Sequence, residues 1–248
     1  YRAPASGLPK PGQTPHRNRH VIRQSRRLRE QLIDMPEPIS WDWREPKRQR
    51  KLVTVEDQIL WAYVMLSITR QMMNDRQRGK PDRFPGGRTK WANIEMTKYR
   101  RQARNISTLD RDDRLAQDGI KACAHCGVSV PKYHWDHLIP QSKLRGEHIA
   151  FNQVRSCPGC NMSRGNKDLM LWHRQNQTFP TLAILRRFLK LTYFYAKQGG
   201  CLDYPACDAV DGGLPFDPRL LPRKFPKVES LVWDYAHPEP QGIGCQSP

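Results

Sequence analysis

The chain lacks a long apolar run, has little acidic charge before residue 199, and is poor in hydrophobic residues for its length. Its longest apolar stretch, Ile59 to Ile68, is about half of the roughly 20 residues that a membrane-spanning helix needs, so no bilayer-crossing segment is expected. From Tyr1 to Arg29 there is no Asp or Glu against eight Arg and Lys, so nothing in that segment neutralises its positive charge. Hydrophobic residues make up 38% of the 248, while Gly and Pro number 16 and 21. That balance predicts a small packed module with extensions rather than one core running through the whole length. There are no internal repeats.

What is abundant is positive charge. Lys and Arg outnumber Asp and Glu by 42 to 24, a formal charge of +18. Residues 199 to 248 hold four basic and seven acidic residues, so the first 198 carry the entire surplus. A polyanion, nucleic acid above all, is the expected partner of that part. The Arg-rich, acid-free start is expected either of the remains of an organelle transit peptide or of a basic arm.

Seven cysteines are present, and four of them fall into two Cys-x-x-Cys pairs, Cys123/Cys126 and Cys157/Cys160, thirty residues apart. Each pair can bring two thiolates to one metal from a tight turn, and four sulfur ligands with no open position describe a structural zinc site. Thiols used in this way imply a reducing, intracellular compartment. Cys201, Cys207 and Cys245 are irregularly spaced and read as free thiols.

Between and beside the knuckles lie Asp136-His137-Leu138-Ile139-Pro140, a lone Asn152, and Asn161 directly after Cys160. In order and spacing, residues 121 to 173 resemble the HNH (ββα-metal) endonuclease family. Arg164-Gly165 stands where that family commonly has Lys-Gly, and Lys143-Leu144-Arg145-Gly146 where many members carry two glycines. The resemblance implies that His137 is the general base, that Asn152 braces the loop orienting it, and that Asp136 and Asn161 bind a catalytic Mg²⁺ or Mn²⁺. The residue types suit that chemistry. An imidazole titrates near neutral pH, and hard oxygen ligands leave coordination positions for water and phosphate. One conflict is visible in advance: neighbours on a regular strand face opposite sides, so Asp136 and His137 reach one phosphate only if the strand breaks there. Pro140 is consistent with a break.

The expected fold class is α+β, a small zinc-stapled ββα module flanked by helices and long irregular extensions. Residues 1–53 read as a Pro/Arg-rich arm with an amphipathic basic helix from Asn18 to Ile33, 54–120 as helical, 121–173 as the knuckle module, 174–199 as a helix, and 200–248 as a Pro/Gly-rich tail. Thr54 and Asp57 predict a capped helix with an apolar stripe from Ile59 to Met73. A loop is expected over 80–93, a helix over 94–104, a shorter one over 110–117, and a β-hairpin over 122–137. Candidate nucleic-acid contacts are Arg19, Arg23, Arg26, Arg27, Arg48, Arg50, Arg164 and Lys167. Trp41 and Trp43 suit either base stacking or anchorage of a linker to the folded body.

Two functions compete on this pattern. One is a metal-dependent endonuclease acting on nucleic acid, DNA foremost. The other is a structural RNA-binding component of a large ribonucleoprotein, such as a mitochondrial or other organellar ribosome, with its tails against other proteins. A zinc-dependent protein-interaction module is a third, weaker reading.

Overall fold

The computed structural model describes residues 40–44, 51–109, 122–144, 150–210 and 213–235. The basic arm with Arg19, Arg23, Arg26 and Arg27, the patch with Arg48 and Arg50, and the expected 110–117 helix lie outside them. The described residues all belong to one compact unit.

Helix α1, Val55–Gln77, starts as its sequence dictates. Thr54 Oγ1 accepts the Asp57 N–H at 3.1 Å while the Asp57 carboxylate accepts from the backbone of Val53 and Thr54, so two N–H groups that the helix leaves orphaned find partners. From Val55 to Leu66 nearly every side chain is buried, and α1 is the central element around which the others pack. Thr54→Ala removes the cap and is expected to cost about 1 kcal/mol, lowering the midpoint of thermal unfolding by roughly 2–4 °C. Calorimetry of the variant checks this.

Helix α2, Arg88–Arg100, begins six residues earlier than its sequence pattern suggests and ends four earlier. Gly86 and Gly87, both at positive φ, make the turn that releases it. Its first residue is then tied down, because the Arg88 guanidinium donates to the carbonyls of Phe225 and Pro226 at 3.0 and 2.5 Å and to Thr69 Oγ1 at 3.2 Å. Those partners are distant in sequence.

Strands β1, His134–His137, and β2, Gln153–Ser156, pair antiparallel with His134 opposite Ser156 and His137 opposite Gln153. The 122–137 hairpin is therefore not formed. Residues 122–130 make the first knuckle instead, with Gly127 at positive φ returning its N–H to the Cys123 carbonyl and Ala124 donating to Arg155 on β2. Helix α3, Pro158–Arg164, takes in the second knuckle, with Cys157 at the N-cap, Cys160 in its first turn and proline at its first position, so it begins three residues before Asn161. Helix α4, Leu169–Gln175, is capped by Asp168, whose Oδ1 accepts from Met170 and Leu171.

Helix α5, Leu182–Gln198, packs on α1 and ends at Gly199-Gly200. Two of its basic residues are buried: Arg187 donates to the Gln153 carbonyl at 2.9 Å and Lys190 to the Thr108 carbonyl at 2.8 Å, so these charges serve the chain's own backbone. The N-terminus of α5 has no side-chain cap because the tail supplies one. The N–H groups of Leu182 and Ala183 donate to the carbonyls of Val232 and Trp233. Residues 213–235 are thus folded on the chain's own body, burying Phe216, Leu221, Phe225 and Leu231 and giving the Arg223 carbonyl to Trp61 Nε1. The core runs from Leu52 to Leu231 through α1, α2, α5, the hairpin and the tail, which is more continuous than the composition suggests. Trp41 and Trp43 anchor rather than wait for a base. Trp41 N–H donates to Gln177, Trp43 Nε1 to Thr178, and the Trp43 ring stacks on Phe179 with centroids 5.6 Å apart. No helix among the described residues is long and apolar enough to cross a membrane.

Candidate metal centre and the hairpin beside it

The two knuckles meet because their turns hang on one strand. Ala124 is bonded to β2, and Cys157 follows β2 directly. Their four Sγ atoms lie within 4.8 Å of one another, with Cys126 and Cys157 at 3.8 Å. Tetrahedral coordination at a Zn–S length of about 2.3 Å puts sulfurs about 3.8 Å apart, so the cluster has the size to hold a metal such as zinc. Among the described residues it is the one group of three or more Cys, His, Asp or Glu with such geometry. Hydrogen bonds from Cys126 and then Cys160 pull Cys123 far below the ordinary thiol range, while Cys126, as donor to it, is pushed up to about 12. Tyr235 nearby is raised to about 12, by burial first and then by the sulfur charges. Buried Cys201 and exposed Cys207 stand apart from the cluster.

Asp136 is not an open metal ligand. It is 4% exposed on the inner face of the hairpin, and Arg164, 1% exposed, grips it with both arms of its fork: Nε to Oδ2 at 2.6 Å and Nη2 to Oδ1 at 2.7 Å. His125 Nε2 adds a third bond to Oδ2 at 2.9 Å. Three of about four acceptor directions are taken. Burial works against the carboxylate, but the His125 bond and the Arg164 charge and bonds outweigh it and hold the carboxyl below its usual range. Asn161 lies beside His134 instead, its Nδ2 donating to His134 Nδ1 at 3.4 Å. Asp136 as placed therefore does not fit Mg²⁺ or Mn²⁺, since an ion there meets a bound guanidinium rather than free oxygen, while the Asn161 bond to His134 uses its amide nitrogen. Arg164, a candidate nucleic-acid contact, is itself buried and bonded to Asp136. Lys167 remains exposed, its Nζ donating to the Ser163 carbonyl at 2.5 Å.

The strand does not break before His137. β1 stays in register to that residue, which puts His137 on the outer face, where its Nε2 accepts from Gln153 Nε2 at 3.1 Å. Asp136 and His137 thus serve opposite faces. Asn152 is buried below them, its Oδ1 accepting from Ile139 N–H and its Nδ2 donating to Ile139 carbonyl, both at 2.8 Å, so its amide clamps the turn after β1.

His125 is the residue that sequence reading passes over. It is an unspecified position of Cys-x-x-Cys, and only the fold turns it onto Asp136. Its ring meets Trp172 edge-on at 5.3 Å, and Trp172 Nε1 donates to Ser163, so α4 closes the cluster from outside. His173, buried behind it, has its pKa pulled well below the ordinary imidazole value, chiefly by burial, with its neighbours His125 and Arg164 adding to the effect.

Set against protein-family models, curated proteins and solved structures, the chain matches none of them. The HNH resemblance therefore rests on the local motif alone.

Proposed function

We propose that this chain is a nucleic-acid-binding protein, built on a zinc-stapled hairpin-and-helix module, that does not cleave what it binds. The observation that carries the reading is the Arg164 guanidinium seated on Asp136. A residue that would hold a catalytic ion has its oxygens committed to an internal ion pair, and the rest of the motif survives as architecture: four cysteines as a clamp, Asn152 as a brace. When bound, zinc supplies a closed crosslink between the two knuckles and no chemistry. The formal charge of +18 indicates the partner's sign. A place within a large ribonucleoprotein suits the basic first part of the chain, although the tail, folded on its own body through residue 235, adds nothing to that argument.

The test is a paired assay on the full chain. Binding to labelled nucleic acid should fall linearly on a log-log plot against salt, by roughly 0.7 to 0.9 log units per neutralised phosphate. Incubation with Mg²⁺ or Mn²⁺ should leave RNA and DNA substrates intact. Cleavage that His137→Ala abolishes would restore the endonuclease reading, and absence of any binding at low salt would remove nucleic acid as the partner.

A further inference from the structure

The antiparallel register separates the hairpin into two faces with different work. The inner face holds Asp136, Val154 and Ser156, all buried. The outer face carries two adjacent cross-strand pairs, Trp135 opposite Arg155 and His137 opposite Gln153. Trp135 is 52% exposed, the largest side chain in its neighbourhood left to water. The Arg155 guanidinium carbon sits 5.7 Å from its ring centroid, and one rung along lies the His137–Gln153 hydrogen bond at 3.1 Å. None of these four side chains contributes to the cysteine cluster or to the Asp136 pair.

Each element of that face answers one part of an unpaired strand. A half-exposed indole offers a π surface that any base can stack on, and an arginine beside it adds positive charge for phosphate and a planar face of its own. The imidazole and carboxamide supply a donor and acceptors at the height of a base edge. Successive rungs on one face of a strand are about 6.6 Å apart, about twice the 3.4 Å step of a stacked duplex, so neighbouring stacked bases cannot address both pairs while an unstacked strand can. The platform is rigid. Arg187 pins the Gln153 carbonyl and Ala124 pins the Arg155 carbonyl, so little order must be gained on binding.

We propose that the outer face of β1 and β2 is a binding platform for single-stranded nucleic acid, with Trp135 stacking a base, Arg155 meeting the adjoining phosphate and His137–Gln153 reading the edge of the next base. This rests on the nucleic-acid-binding reading above and assigns His137 to recognition. The excess of positive charge in the first 198 residues favours a nucleic acid over a protein as the occupant.

The experiment compares the full chain with Trp135→Ala and Trp135→Phe by fluorescence anisotropy, using labelled oligouridylate, labelled oligothymidylate and a duplex of equal length. Trp135→Ala should weaken binding to both single strands roughly tenfold and leave duplex binding unchanged, while Trp135→Phe keeps most of the affinity. Metal content and circular dichroism of the variants control for folding. Single-strand affinity unchanged in Trp135→Ala overturns the platform, leaves nucleic-acid binding elsewhere on the chain, and hands this face to a protein partner. An equal loss on duplex also overturns it, as a general rather than a stacking effect. No binding of strand or duplex by the wild type overturns both proposals.

Discussion

Cys157→Ser is expected to abolish metal binding and to loosen the knuckles without unfolding the rest of the chain. The substitution is unusually clean. Cys157 also caps α3, its Sγ accepting the Cys160 N–H at 3.4 Å, and serine is at least as good an N-cap. What is lost is the ligand. Structural zinc in small cysteine modules contributes an apparent binding free energy of about 10–16 kcal/mol, so three remaining ligands should not sustain the site. The segments that depend on it are short, with four residues in each strand and seven in α3. By contrast Leu138, Ile139, Leu169 and Met170 belong to the main core with α1 and α5. Metal analysis should fall from one zinc per chain to none, and amide exchange should accelerate over 122–130 and 153–165 while α1 stays protected. Unchanged exchange in a metal-free variant would show that the clamp is dispensable.

Arg164→Leu is expected to cost about 3–5 kcal/mol, since it strands the Asp136 carboxylate in a buried site with only His125 as partner. Adding Asp136→Leu should recover much of the loss, because the penalty is the unpaired charge and not the absence of the bridge. Denaturant titration of the wild type, the two single variants and the double variant measures both numbers. The pair also has a pH signature. The Asp136 pKa is lowered on folding, so its contribution is fully present above the unfolded value of about 3.9 and disappears as pH falls through the lower folded value. The wild type should therefore lose stability below about pH 4 more steeply than the Asp136→Leu/Arg164→Leu protein, and equal acid slopes would contradict the assignment. If Arg164→Leu created metal-dependent cleavage, the guanidinium would be an inhibitor of a latent nuclease, which the same preparations can test with Mn²⁺.

Much of the local structure was legible because its causes are local. The Thr54–Asp57 box, the Gly199-Gly200 stop and the two Cys-x-x-Cys turns each depend on residues within a few positions, where spacing translates directly into geometry. The α+β mixture and the four-cysteine cluster follow from such signals. Three things were not legible, and in each the partner lies far along the chain. The anchoring of Arg88 at the start of α2 depends on carbonyls of Phe225 and Pro226, the uncapped start of α5 on those of Val232 and Trp233, and the pairing of β1 on a strand beginning at Gln153 rather than on the neighbouring knuckle.

The candidate site divides along the same line. By itself the sequence determined that four thiols would come in pairs able to share a metal, that the chain would carry a large positive charge, and that Asp136 and His137, being adjacent, would face opposite ways on any regular strand. Only the tertiary structure decided that the strand stays regular. It also decided that Arg164, whose sequence position suggested a contact with nucleic acid, reaches across from α3 to close Asp136, and that His125 joins it. A motif specifies which residue types are present and how far apart they stand along the chain, but whether a carboxylate meets a cation from solvent or one from its own protein depends on which side chain packing brings within about 3 Å first.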